Sequence, residues 1–257
     1  MRIIFRSDIA CIIMVFFLTA ISCNNQPSGS NEKAPDTSSA GQSKPAITPL
    51  REKVLTAAEQ EALSPDSVIQ SLKDGNKRFL ANDLTARDHS AMVRNASKGQ
   101  YPKAVILSCL DSRIPVEDVF DKGIGDLFVA RVAGNFVNED ILGSMEFGCK
   151  VSGAKVILVI GHESCGAIKA AIDNVKLGNI TAMLAKIKPA VEMSKDFNGD
   201  KSSKNDAYVE YVAKKNVLNT IETIKSKSAI LAEMVQKGQI KIIGAYYHLQ
   251  TGAIEFL

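Results

Sequence analysis

Three residues in two separate segments are of the types that hold a metal. Cys109 stands in Ser108-Cys109-Leu110-Asp111-Ser112-Arg113, and His162 and Cys165 stand in Gly161-His162-Glu163-Ser164-Cys165-Gly166. Two thiolates and an imidazole suit zinc, and three protein ligands leave a fourth tetrahedral position open, the mark of a catalytic rather than a structural site. Each segment directly follows a short apolar run of buried-strand type, Ala104-Val105-Ile106-Leu107 before the first and Val156-Ile157-Leu158-Val159-Ile160 before the second. Open α/β sheets bind ligands at the carboxyl ends of their strands, so two such ends side by side would gather Cys109, His162 and Cys165. If a helix starts at the second segment, the three-residue step from His162 to Cys165 puts both on one face. A helix N-terminus also favours the thiolate form of Cys165.

The elements that must position these residues can be read in order. Ser64-Pro65 sets an N-cap and a first-turn proline, and Val68, Leu72 and Phe79 recur behind it at helical spacing, with Gly75 a weak point inside. Strands are expected over Lys103–Ser108, Asp126–Val132 and Lys155–Ile160. A helix from about Glu139 to Val151, capped by Asn138, separates the second strand from the third, and another spans Ser164–Asn174. From Ile180 to Lys237 the pattern is nearly all helix, interrupted near Asn198-Gly199, before a strand over Ile240–His248 and a turn at Thr251-Gly252 into a final short strand. This alternation predicts an α/β fold with a mainly parallel central β-sheet flanked by helices.

Composition limits what else the chain can be. It has 257 residues, 46% of them hydrophobic, with a formal net charge of +3. That is material for one large core, and sparse aromatics without an interleaved basic run argue against nucleic acid. Arg2 and Arg6 precede a short apolar run, Ile9–Ile21, shorter than the about 20 residues a bilayer span needs. Residues 1–22 therefore read as an export signal, and Ala20-Ile21-Ser22-Cys23 resembles a bacterial lipoprotein box with Cys23 as the lipidated residue. Residues 23–50 are polar and rich in Ser, Pro and Asn, a tether reaching about 30 Å, which leaves residues 51–257 as the folded domain. The reading is an exported lipoprotein, periplasmic or on the cell envelope, bound to a membrane surface by its N-terminus. A Cys109–Cys165 disulfide would suit that compartment but leaves His162 unexplained. Cys149 reads as a small buried hydrophobe on its helix.

Cys109-Leu110-Asp111-Ser112-Arg113 followed by His162-Glu163-Ser164-Cys165-Gly166 resembles the β-class carbonic anhydrases, whose pattern is Cys-x-Asp-x-Arg and then His-x-x-Cys-Gly. The likeness runs from about Pro65 to the C-terminus. It implies one zinc per chain on Cys109, His162 and Cys165, and reversible hydration of carbon dioxide to bicarbonate and a proton. It implies that Asp111, held by Arg113, orients the attacking water, although in some members this aspartate is itself the fourth zinc ligand in an inactive form. It maps substrate contacts onto Gln100, Phe128 and Ala133, with Phe147 entering from a partner subunit, and so implies a homodimer or larger; Gly166, read from its own position, clears space for substrate beside the metal. Gln100 favours the branch in which Asp111 orients water. His89 and His248 are the other histidines that could move a proton. Three rival readings stay open: a carbon disulfide or carbonyl sulfide hydrolase on the same site, a non-catalytic bicarbonate-responsive zinc module, and a thiol redox module.

Overall fold

The computed structural model describes residues 53–257; the expected signal, Cys23 and the tether lie outside the described residues. No helix among the described residues is long and apolar enough to cross a membrane. The described chain opens with helices α1 (Ala57–Glu61), α2 (Pro65–Leu80) and α3 (His89–Ala96). Ser64 and Ser67 cap the start of α2 reciprocally, each hydroxyl accepting the other's backbone N–H at 3.1 Å. Gly75, a weak point by helix propensity, is required by packing. A Cβ there would lie 1.8 Å from the carbonyl oxygen of Phe120.

The sheet then assembles with its covering helices. In order come β1 (Ala104–Ser108), α4 (Val116–Val119), β2 (Leu127–Arg131), α5 (Glu139–Glu146), a π-helical turn (Phe147–Val151) and β3 (Val156–His162). Helices α6 (Gly166–Ile172), α7 (Gly178–Ala185), α8 (Lys188–Glu192), α9 (Asp206–Lys227) and α10 (Ala229–Gln236) lead to β4 (Lys241–Tyr247) and β5 (Ile254–Phe256). The strand order is β2-β1-β3-β4-β5, with β1 to β4 parallel and β5 antiparallel to β4.

Every residue of β1 and β3 is buried, because helices cover both faces of the sheet. Alternation sorts the side chains. Val105, Leu107, Ile157 and Val159 pack with Val217, Ile221 and Ile224 of α9, while Ala104, Ile106, Leu158 and Ile160 pack with Val68 and Leu72 of α2 and with α4. Each such aliphatic side chain contributes about 1.5–3 kcal/mol by burial. Helix α9 lies close on β3 and β4 because Gly161 and Gly244 leave room for Val217, whose methyls would stand 2.8 and 2.7 Å from a Cβ at those positions.

Two expectations need correction, and a third is met over a longer stretch. The step from His162 to Cys165 is not helical: His162 ends β3, Ser164 takes a left-handed φ of 53°, and Cys165 is the residue before α6. The helix expected over Glu139–Val151 is α-helical only to Glu146 and then widens into the π-helical turn. The break expected near Asn198-Gly199 is a non-helical stretch over residues 193–205.

Candidate metal centre

The strand order fixes where a site belongs. The chain leaves β1 for β2 on one side and then crosses to β3 on the other, so β1 and β3 flank the switch point at which open α/β sheets leave a crevice beyond their strand ends. Cys109 follows the last residue of β1, and His162 is the last residue of β3. Cys165 returns to the same place at the start of α6. The donor atoms of Cys109, His162 and Cys165 all lie within 4.8 Å of one another, and all three residues are buried.

The donor set fits zinc. The two sulfurs are 3.8 Å apart and both cysteines are free. Two sulfurs each about 2.3 Å from a shared tetrahedral centre stand about 3.8 Å apart, whereas a disulfide would bring them to about 2.0 Å. Nδ1 of His162 lies 2.9 Å from the carbonyl oxygen of Glu163 and so donates its proton there. That tautomer leaves Nε2 as the basic nitrogen, and Nε2 is buried with no hydrogen-bond partner among the described residues. Buried polar atoms ordinarily find a partner, so an orphaned imidazole nitrogen beside two thiols marks a metal ligand.

The charges are prepared for a cation. The Cys165 thiol donating to Cys109 holds the Cys109 pKa well below the ordinary thiol value, with help from His162 and from the Gly134 N–H. That N–H donates to Cys109 Sγ at 3.3 Å. The second proton, on Cys165, is correspondingly held up by the neighbouring sulfur and by burial, against the pull of the Ala167 and Ile168 amides. A divalent cation would displace both protons.

Asp111 stands beside the three donors. Arg113 grips it twice, Nε to Oδ1 at 2.9 Å and Nη2 to Oδ2 at 2.7 Å, and the Arg113 backbone N–H adds a bond to Oδ1 at 2.9 Å. The Arg113 guanidinium lowers the Asp111 pKa to about 2. Asp111 Oδ2 is 3.8 Å from His162 Nδ1. The loop that carries Asp111 is clamped by Arg131 at the end of β2, whose guanidinium donates to the carbonyls of Cys109, Asp111 and Ile114 at 2.7–3.0 Å.

The residues expected to touch substrate are not gathered in the same way. Phe128 and Phe147 meet at a tilt of 60° with ring centroids 6.5 Å apart and share a surface cavity of about 780 Å³ with Val105 and Ile141. Ala133 precedes Gly134 on the loop behind Cys109, and a Cβ at Gly166 would meet nothing within 4 Å, so that side of Cys165 is open. Gln100 is exposed. His89 is exposed at the start of α3, and His248 packs edge-on against Tyr246 with Nε2 3.4 Å from Glu255. Cys149 is buried in the core as expected, and desolvation pushes its thiol up to about 12.

Sequence reasoning missed Arg131, the Gly134 N–H and the Glu163 carbonyl. An arginine at the end of an otherwise apolar strand is a signal for the first; backbone groups carry none.

The chain has recognisable relatives. The family profile described as carbonic anhydrase matches residues 104–254. Carbonic anhydrase 2 of Mycobacterium tuberculosis is 32% identical over 198 residues, which is 74% of this chain and 91% of the relative. Among solved structures, the β-carbonic anhydrase CcaA superposes with a TM-score of 0.59 at 21% identity, covering 74% of this chain and 98% of that one. A tetrameric β-carbonic anhydrase from Sordaria macrospora gives 0.58 at 21%, covering 64% and 85%. At these identities the two structures speak for the shared fold, and the profile and the mycobacterial relative speak for descent. Matching more than half of the chain in the first case and nine-tenths of the relative in the second, they establish that the chain belongs to the carbonic anhydrase family.

Proposed function

We propose that this chain is a zinc-dependent lyase that interconverts carbon dioxide and bicarbonate. The observation that carries the reading is the convergence of Cys109, His162 and Cys165 at one strand-end crevice beside an ionised carboxylate. Zinc held by these three residues supplies a Lewis acid that makes water nucleophilic near neutral pH.

The chain's own residues do the rest. Asp111 accepts a hydrogen bond from the attacking water and turns a lone pair of its oxygen toward the carbon. With its pKa held at about 2, Asp111 stays a carboxylate near neutrality and accepts that hydrogen bond without taking up the proton, which leaves to solvent. Arg113 occupies both carboxylate oxygens, which fixes the orientation and favours an orienting role over ligation. The balance is one water and one carbon dioxide giving bicarbonate and one proton. Phe128, Ala133, Gly166 and a partner's copy of the Phe147 position form the apolar surroundings of the substrate in this reading, and the Gln100 amide is the group that hydrogen-bonds it.

Stopped-flow hydration of carbon dioxide by the zinc-loaded protein tests it. Activity is expected in the wild type, and Cys109→Ser is expected to lose both zinc and activity. A zinc-loaded wild type inert toward carbon dioxide between about pH 7 and 9 would return the chain to the non-catalytic reading.

The export features support a second part of the proposal: cleavage before Cys23, lipidation of Cys23, and residence on the cell envelope with residues 23–50 as the tether. The mass of the membrane-extracted protein decides this, and an unmodified Cys23 would remove it. Assembly as a homodimer or larger is supported by the tetrameric relative and by the exposed Phe147 beside edge strand β2.

A further inference from the structure

We propose that Asn216, far from the metal ligands in sequence, is a positioning residue for the Cys109 thiolate. Asn216 lies in the middle of α9 and is fully buried. Its neighbours on that face, Val212, Ala213, Val217 and Ile221, are apolar and buried, so an aliphatic residue would continue the stripe. Instead the position carries an amide, and its Nδ2 donates to the carbonyl oxygen of Gly134 at 2.8 Å. The N–H of the same glycine donates to Cys109 Sγ at 3.3 Å. Asn216 therefore reaches the sulfur through one residue.

Several details show that this contact is specific. The opposite orientation of the amide would set two oxygens against each other, so the Gly134 carbonyl fixes which end donates. Asn216 Oδ1 finds no partner, which leaves the bond to Gly134 as the hydrogen bond the side chain makes among the described residues. Burying an amide half satisfied opposes folding, and it persists here where the alternative is a buried carbonyl with no donor. The polar character extends beyond one residue. Thr220 one turn further along α9 and Asn135 beside Gly134 are also buried, with Oγ1 and Nδ2 unpartnered among the described residues.

The glycine is held from the other side as well. Gly134 has a φ of 83°, and a Cβ there would stand 2.3 Å from Ile187 Cδ1. Ile187 blocks movement one way and Asn216 tethers it the other, so the N–H stays aimed at the sulfur. An N–H held on a metal thiolate draws charge from the sulfur and fixes its direction, which tunes both the affinity for the ion and its electrophilic strength.

The inference rests on the zinc reading above, and its test separates the two. Zinc release to a chelator, the thiolate-to-metal absorption of the cobalt-substituted form, and kcat and KM for carbon dioxide hydration are measured on the full-length protein. Wild type is compared with Asn216→Leu, Asn216→Ser and Ile224→Ala, the last a core truncation two turns along the same helix. Both Asn216 variants are expected to release zinc about 10- to 100-fold faster, to shift the cobalt absorption, and to lower kcat with KM little changed. Ile224→Ala is expected to lower the melting temperature without those changes. Should Asn216→Leu fail to fold, Asn216→Ser, which is too short to reach the Gly134 carbonyl, gives the same readouts. Asn216 variants that melt early but keep wild-type zinc release and cobalt spectrum would overturn the positioning role while leaving the zinc reading intact. A wild type that takes up no zinc would overturn both.

Discussion

At the scale of single residues, the division of labour around the metal is testable through Asp111. Its carboxylate is committed to Arg113 through both oxygens, and its low pKa keeps it ionised at every working pH. Asp111→Asn keeps the shape and removes the charge, so kcat for carbon dioxide hydration should fall on the order of 10²-fold while zinc content stays at one per chain. Loss of zinc in that variant would make Asp111 a ligand; an unchanged kcat would deprive it of its orienting role. The reactive residues are legible in the amino-acid sequence because two cysteines, a histidine and an Asp–Arg pair stand out by type and lie at strand ends that can be read locally. What supports them is not. The Gly134 N–H and the Glu163 carbonyl belong to the backbone, which has no residue-type signature, and Asn216 meets Gly134 across 82 positions of chain.

Elements are legible where both faces of a strand are buried, since β1 and β3 read as unbroken apolar runs, and less so where tertiary packing overrides local preference. The turn that carries Ser164 and the π-helical widening at Phe147 are of that second kind, and so is Gly75. Propensity makes Gly75 a defect of α2, but the backbone of Phe120 occupies the place of its side chain. Gly75→Ala should therefore destabilise by about 1–3 kcal/mol, against the gain expected in an open helix, and urea unfolding would show it as a lower midpoint at unchanged slope. The segment after α2 is tied down by a buried carboxylate. Asp121, with a φ of 48°, accepts from Thr85 N at 3.0 Å, Thr85 Oγ1 at 2.6 Å, Arg78 Nε at 2.5 Å and Arg87 Nη2. Burial pushes its pKa up, but these donors together outweigh burial and hold it below the ordinary 3.8. A carboxylate lowered on folding stabilises fully above its unfolded value and loses that contribution as pH falls through the folded one. Stability should thus fall on acidification below about pH 4. Asp121→Asn, which tolerates the left-handed backbone but leaves two arginines unpaired, should cost several kcal/mol, about 3–5 for a broken buried pair, and flatten that acid dependence.

For the molecule as a whole, β2 is one of the two edge strands of the sheet, and exposed apolar surface lies beside it. Among the described residues, strand β2 pairs only with β1; its Phe128, Val129 and Ala130 line the cavity with Ile141 and Phe147, and Phe147 is 50% exposed. An open strand edge beside an exposed aromatic is a surface that stable proteins cover. In the assembly proposed above, a second copy of this chain is the occupant. This is the scale at which sequence reading has least to work with, because which apolar side chains stay uncovered is decided only after the core has taken the others. If Phe147 anchors that contact, Phe147→Asp should weaken association by about 2 kcal/mol or more, roughly 30-fold in the dimer dissociation constant. Light scattering over a dilution series would show the variant dissociating at concentrations at which wild type stays assembled. Activity per chain followed along the same series tells what the contact does. If a partner's aromatic completes the substrate slot, specific activity falls with the assembled fraction in both proteins, on curves displaced by the difference in dissociation constant. If wild type is monomeric throughout, or if activity per chain stays level while the assembly falls apart, each crevice is complete within its own chain and Phe147 has no part in the partner's.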